Sequence, residues 1–171
     1  MRYFLVLSFL GFQIGCLALG LGKVPPSVVI DKENGADSQG KAWHSQMLKG
    51  KVHTLLYMDP DKREESMLLL KALQKMSHSA SSYQTVAIIN LAATWMPNAV
   101  LQSLLAKKQK ELKNMMYIFD KKKFLVSKWH LKDDASNVLI LDKQSRVIYQ
   151  KSGRLSAKDV AVILKKIEEA L

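Results

Sequence analysis

The stretch KVHTLLYMDPDK, Lys51 to Lys62, narrows the fold of this chain more than any other feature. Val52, Leu55, Leu56, Tyr57 and Met58 supply a buried strand. Asp59 follows as a side-chain cap, and Pro60 suits the first position of a helix. A strand running directly into a helix is the building unit of an open α/β sheet, where chemistry gathers just past the C-terminal end of the strand. Tyr57–Arg63 is therefore the first place to look for function.

The flanking pattern extends that unit. Gly22–Pro26 reads as an extended entry, because two consecutive prolines exclude a helix. Ser27–Asp31 is a short strand, and polar Lys32–Lys41 reads as a loop or exposed ribbon. Trp43–Lys49 suits one helical turn that sets Trp43 and Met47 against the body. The helix after the corner is expected over Pro60–His78, with Leu69, Ala72, Leu73 and Met76 at helical spacing. Acidic Asp61, Glu64 and Glu65 near its start, and Lys71 and Lys75 near its end, complement the helix dipole.

Thr85–Asn90 is almost continuously apolar and follows a helix, as a parallel strand covered on both faces would. A second helix is expected over Asn98–Lys113, with Leu101, Leu104, Leu105 and Leu112 inward. Met115–Phe119 is the next strand. Asp120–Lys123 interrupts the apolar pattern with charge, and Phe124–Trp129 resumes it. Val138–Leu141 and Val147–Tyr149 form an antiparallel hairpin around the polar turn Asp142–Arg146. Ser156 and Asp159 come close to a capping box. The last helix would bury Val160, Ile163, Leu164, Ile167 and Leu171. No repeat or linker calls for a second domain, so residues 21–171 are expected to fold as one.

The first twenty residues stand apart. Phe4–Gly20 is apolar except for Ser8 and Gln13, and Arg2 precedes it. The run is short for a membrane span but fits an export signal, and Ala18-Leu19-Gly20 places cleavage after Gly20. An uncleaved anchor and lipoprotein processing at Cys16 are the alternatives. Cys16 is the single cysteine. Cleavage after Gly20 would leave a chain with no thiol chemistry at all.

The formal net charge is +11. The excess is clustered at Lys107, Lys108, Lys110 and Lys113 and at Lys121–Lys123. Such a surface is either a solvated basic face or one that suits an acidic protein or an anionic membrane surface, and export argues against nucleic acid.

The order of elements resembles the thioredoxin-like fold: an α/β domain with a central mixed sheet flanked by helices. More closely, the chain resembles the YtfJ family of exported bacterial proteins. The matching stretches are GKVPPSVVID (Gly22–Asp31), LKGKVHTLLYM (Leu48–Met58), YQTVAIIN (Tyr83–Asn90), KWHL (Lys128–Leu131) and Asn137–Val160. The resemblance implies a periplasmic protein with a thioredoxin-like fold. Members of the family also carry a transcriptional-regulator label, which sits badly with an export leader.

Redox proteins of that fold place C-x-x-C at the strand-to-helix corner, where this chain has Asp59-Pro60-Asp61-Lys62. They also place a proline before the strand of the C-terminal hairpin, where this chain has Asp134-Ala135-Ser136-Asn137. None of these side chains can exchange disulfides. The resemblance therefore implies a non-redox protein whose corner binds a protein or peptide through Tyr57, Asp59, Pro60, Asp61, Lys62, Ser136 and Asn137.

An enzyme is the alternative. Asp59 and Asp61, with His53 or His130 folded beside them, could support acid–base or metal-assisted chemistry. His53 is expected to point out of the core face of its strand. No histidine pair has metal-ligand spacing, and D-x-D lacks the glycine and distal glutamate of a calcium loop. No phosphate loop is present, so no cofactor is expected. Trp43, Trp95 and Trp129 are either groove walls or large core residues.

Overall fold

A computed structural model describes residues 19–94, 97, 100 and 115–171 of the chain. The expected leader up to Ala18, with Cys16, together with Trp95, the helix expected over Asn98–Lys113 and its lysine cluster, falls outside the described residues.

Among the described residues, the strands are β1 (Val29–Ile30), β2 (Gly35–Asp37), β3 (Trp43–His44), β4 (Val52–Met58), β5 (Tyr83–Asn90), β6 (Met115–Asp120), β7 (Asn137–Leu141) and β8 (Val147–Ser152). The helices are α1 (Met67–Leu73), α2 (Phe124–Trp129) and α3 (Ala157–Ala170). Six of the strands form one sheet in the order β2-β6-β5-β4-β7-β8, and β1 pairs with β3 in a small ribbon. β4, β5 and β6 run parallel, while β2, β7 and β8 complete the sheet with antiparallel pairings.

β4 lies inside the sheet, between β5 and β7, and both of its faces are covered. Leu55 and Tyr57 point to one side, where Trp43, Ile88, Ile118, Leu125, Trp129 and Leu139 complete a core. Val52 and Leu56 point to the other, against Leu69, Leu73, Ile140, Ile163 and Ile167. This two-sided burial is why β4 and β5 read as apolar runs rather than alternating strands. Ser156 and Asp159 form a true capping box at the start of α3: each side chain accepts the other residue's backbone N–H. Val160, Ile163 and Ile167 are buried, with Leu164 and Leu171 partly covered.

The expected Pro60–His78 helix is two shorter pieces. A 3-10 segment spans Pro60–Glu65, with Lys62 outside helical geometry at φ −114°, ψ 22°, and α1 ends at Leu73. Glu65 explains the break. Its carbonyl accepts from Leu155 N at 3.1 Å instead of from the helix ahead, and its carboxylate accepts from Ser136 N at 2.8 Å. Both groups are drawn toward the far side of β7.

Residues Lys32–Lys41 are not merely a loop, because Gly35–Asp37 pairs with β6 as an edge strand. Gly35 admits that pairing. At φ +143°, a Cβ there would stand 1.8 Å from the Phe119 carbonyl oxygen. The apolar run Phe124–Trp129 is a helix, with Leu125 and Trp129 buried on one face. Met47 is 54% exposed rather than packed on the body, while Trp43 is buried as expected. No described helix is long and apolar enough to cross a membrane.

Candidate functional site

The end of β4 leads into Asp59, which is 1% exposed. Its φ/ψ are extended, and Oδ1 accepts from Asp61 N at 2.9 Å, the capping bond expected of an aspartate before Pro60. Oδ2 is buried and has no hydrogen-bond partner among the described residues. Burial pushes the Asp59 carboxyl above the ordinary aspartate range. The Asp61 N–H works against that rise, neighbouring Asp61 and Asp134 add to it, and Lys62 opposes it. An acceptor oxygen held out of water without a donor is destabilising, and Asp59 is the ionisable one of two such groups flanking the 3-10 segment, the other being the Ser66 hydroxyl.

Around it lies an exposed rim of mixed charge. Asp61 accepts from Thr94 Oγ1 at 3.0 Å. Lys62 approaches Asp134 at 3.9 Å, a loose contact with Asp134 well exposed. Lys123 holds Asp133 at 2.8 Å, and that bond raises the Lys123 ammonium and lowers the Asp133 carboxyl from their ordinary values. Four aspartates, Asp59, Asp61, Asp133 and Asp134, thus gather beside Lys62 and Lys123, on a chain whose formal net charge is +11.

The other residues expected at the corner form its frame rather than its surface. Tyr57 is 1% exposed, and its hydroxyl donates to Asp120 Oδ2 at 3.1 Å. Burial, then the adjacent Asp120 charge, pushes the Tyr57 phenol far up. Ser136 is fully buried: its N–H is taken by Glu65, and its carbonyl accepts from Gly153 N. Asn137 donates to the Lys132 and Ala135 carbonyls and accepts from Lys132 N and Ser152 Oγ. Pro60 and Lys62 are partly exposed, and Asp61 is exposed. The accessible surface of the corner is therefore Pro60, Asp61 and Lys62, with Tyr57, Ser136 and Asn137 behind them.

The structure does not bring a histidine to these carboxylates. His53 lies six residues before Asp59 along the same strand, about 20 Å away. Far from pointing outward, it is 1% exposed, because a strand covered on both faces has no solvent side. Its Nδ1 lies 3.1 Å from the Lys51 carbonyl oxygen, and burial lowers its pKa, which favours the neutral ring. His130 is exposed at the end of α2, with no hydrogen bond to Asp59 or Asp61. No group of three or more metal-ligating side chains among the described residues is placed to hold an ion. Trp43 and Trp129 are both 1% exposed core residues, and Trp129 Nε1 donates to the Pro26 carbonyl at 2.8 Å.

A carboxylate of the charged break Asp120–Lys123 carries a structural role that the local pattern does not reveal. Asp120, at the end of β6, is fully buried. Its Oδ1 accepts from Lys122 N and Phe124 N, and its Oδ2 from Leu125 N and Tyr57 Oη. It caps α2 and ties that helix to the central strand. The available signal was an aspartate one turn ahead of Leu125 and Trp129, an apolar pair at helical spacing.

A central β4 flanked by parallel and antiparallel neighbours, with helices on both faces, defines a thioredoxin-like α/β domain. Solved structures agree. A peroxiredoxin-like protein from Aquifex aeolicus superposes with a TM-score of 0.65 at 12% identity, covering 91% of this chain and 90% of that one. The exposed lipoprotein thioredoxin Etrx1 from Streptococcus pneumoniae superposes with a TM-score of 0.57 at 15% identity, covering 79% and 96%. These likenesses concern the fold. The chain belongs to the family described as bacterial protein of unknown function (YtfJ_HI0045), whose model matches residues 26–170. It is 26% identical over 159 residues to the uncharacterized protein YtfJ of Escherichia coli (strain K12), covering 87% of this chain and 85% of that one.

Proposed function

We propose that this chain is an exported, periplasmic, non-redox binding protein whose corner at Asp59 receives a cationic group. That group would be a lysine, an arginine or the terminal amine of a protein or peptide partner. The observation that carries the reading is the buried Asp59 Oδ2 without a donor. A partner's N–H would complete its hydrogen bonding and meet its charge, with Asp61 and Asp134 adding attraction at the rim. Oδ2 is closed off from solvent, so the chain around it, the turn at Asp61–Lys62 included, must shift to admit the donor. The loose, exposed Lys62–Asp134 contact does little to hold that turn closed.

The non-redox part rests on the residues present. The chain's single cysteine is Cys16, inside the leader, and the corner reads Asp59-Pro60-Asp61-Lys62. The export part rests on the apolar run Phe4–Gly20. N-terminal sequencing of the protein from its native cell tests it: a chain starting at Leu21 is expected. A chain starting at Met1 and recovered from the cytoplasm would instead favour an intracellular regulator.

Binding is tested with short lysine- and arginine-containing peptides against the natively processed protein. The net positive charge, formally +11 in the full chain and one less without Arg2, opposes unspecific uptake of such peptides, so an interaction reports the acidic corner. Asp59→Ser and the pair Asp61→Asn/Asp134→Asn should each weaken binding about tenfold or more. Unchanged affinity in these variants, or no binding to any cationic peptide, would overturn the proposal.

A further inference from the structure

The opposite end of β4 has a different surface. Leu21, Val24 and Met47 are 64%, 58% and 54% exposed there. Gly22 N donates to the Val147 carbonyl and Val147 N to the Lys23 carbonyl, which lays Leu21–Val24 along the start of β8. Met47 sits on the 3-10 turn Ser45–Leu48 that leads toward β4. Gly50 N then donates to the Lys143 carbonyl, fastening that entry to the β7–β8 turn. A cavity of about 450 Å³ lies between these segments, walled in part by Val24, Pro25, Leu48, Lys49 and Trp129 and by no described carboxylate.

Exposed Lys23 and Lys49 make no ion pair with any described residue. The acidic groups at this end are already matched. Asp142 is 8% exposed and held by Arg146 at 2.7 Å, and Glu169 pairs with Lys165 and Lys166. What remains is large apolar side chains beside unpaired cations, the composition of a surface that enters a lipid headgroup layer.

We propose that this end docks on an anionic phospholipid bilayer, with Leu21, Val24 and Met47 among the headgroups and Lys23 and Lys49 beside the phosphates. The docking is independent of the Asp59 site, which it leaves pointing away from the membrane. Apolar contact and cation attraction act together, as stable surface binding requires.

The test uses the full chain carrying Cys16→Ser and Met47→Cys, with an environment-sensitive fluorophore at position 47. Vesicles are phosphatidylcholine with or without added phosphatidylglycerol. A blue shift is expected with phosphatidylglycerol only, while the same label at Val162→Cys on α3 stays at its aqueous wavelength. Adding Leu21→Ser/Val24→Ser, which leaves the charge unchanged, should cut the shifted fraction at limiting lipid about tenfold. Unchanged melting temperature verifies that the variant folds. A retained leader would hold the chain on both vesicle types, yet only docking of this face moves the label at position 47 with lipid charge. No shift at position 47, an equal shift at position 162, or an unaltered response in the serine variant would overturn the proposal.

Discussion

Two aspartates end two strands of the same parallel layer, and the fold treats them oppositely. Asp120 closes β6 fully buried and accepts from three backbone N–H groups and the Tyr57 hydroxyl. Asp59 closes β4 at 1% exposure and accepts from one backbone N–H, with its second oxygen empty. Burial alone therefore does not define a structural carboxylate. What separates the two is how many donors the surrounding chain commits. Asp120 has a helix N-terminus built against it, so its charge is matched by N–H groups that would otherwise lack partners. Asp59 faces a 3-10 turn that offers one. The first residue holds the fold together, and the second is held in place by it.

The sharpest way to break this contrast is Asp120→Ala. The change strands three backbone donors and the Tyr57 hydroxyl inside the protein, and it should cost about 3–5 kcal/mol, measured by urea denaturation. If Asp120→Ala cost less than Asp59→Ala, the assignment of roles would be reversed. Tyr57→Phe removes one donor from Asp120 and leaves three. A loss of about 1.5–3 kcal/mol is expected, the range for a hydrogen bond to a charged group. The double variant Asp120→Ala/Tyr57→Phe should be less destabilised than the sum of the two, because both act on one bond.

The difference between the aspartates also explains what the sequence could convey. The β4 corner was legible because a local pattern, apolar strand then Asp-Pro, sets both the strand and its cap. The parallel run of β5, the β7–β8 hairpin and the box at Ser156 and Asp159 were legible for the same reason. Asp120 was read as part of a charged break, since its partners Tyr57 and Leu125 become visible only when β4 and α2 meet. Asp59 was recognised as a cap, but the emptiness of Oδ2 depends on which groups fail to approach it in three dimensions. The edge strand at Gly35–Asp37 was hidden because its pairing depends on a close backbone approach to Phe119, not on apolar side chains. The long helix after Pro60 was over-read because periodicity cannot show that Glu65 is bonded elsewhere.

Asp59→Ser should produce the smallest change and the opposite sign. Serine keeps an oxygen to cap Asp61 N while removing the orphaned acceptor and its charge. A gain of about 1 kcal/mol at neutral pH is expected, a few degrees in melting temperature. The pH dependence provides the check. Burial raises the Asp59 carboxyl in the folded state, so there the folded chain binds more protons than the unfolded one. Stability attributable to Asp59 is therefore greatest in acid and falls as pH rises from about 4 through its folded-state value. The advantage of Asp59→Ser should be present at pH 7 and shrink toward pH 4. His53 acts in the reverse sense: its lowered pKa makes the fold lose stability as pH drops below about 6.5. Because His53 is common to both proteins, its effect cancels in the difference between their melting curves. An advantage constant across that range would mean that Oδ2 finds a donor in solution. Asp59 would then be a second Asp120, and the contrast between the two strand ends would disappear.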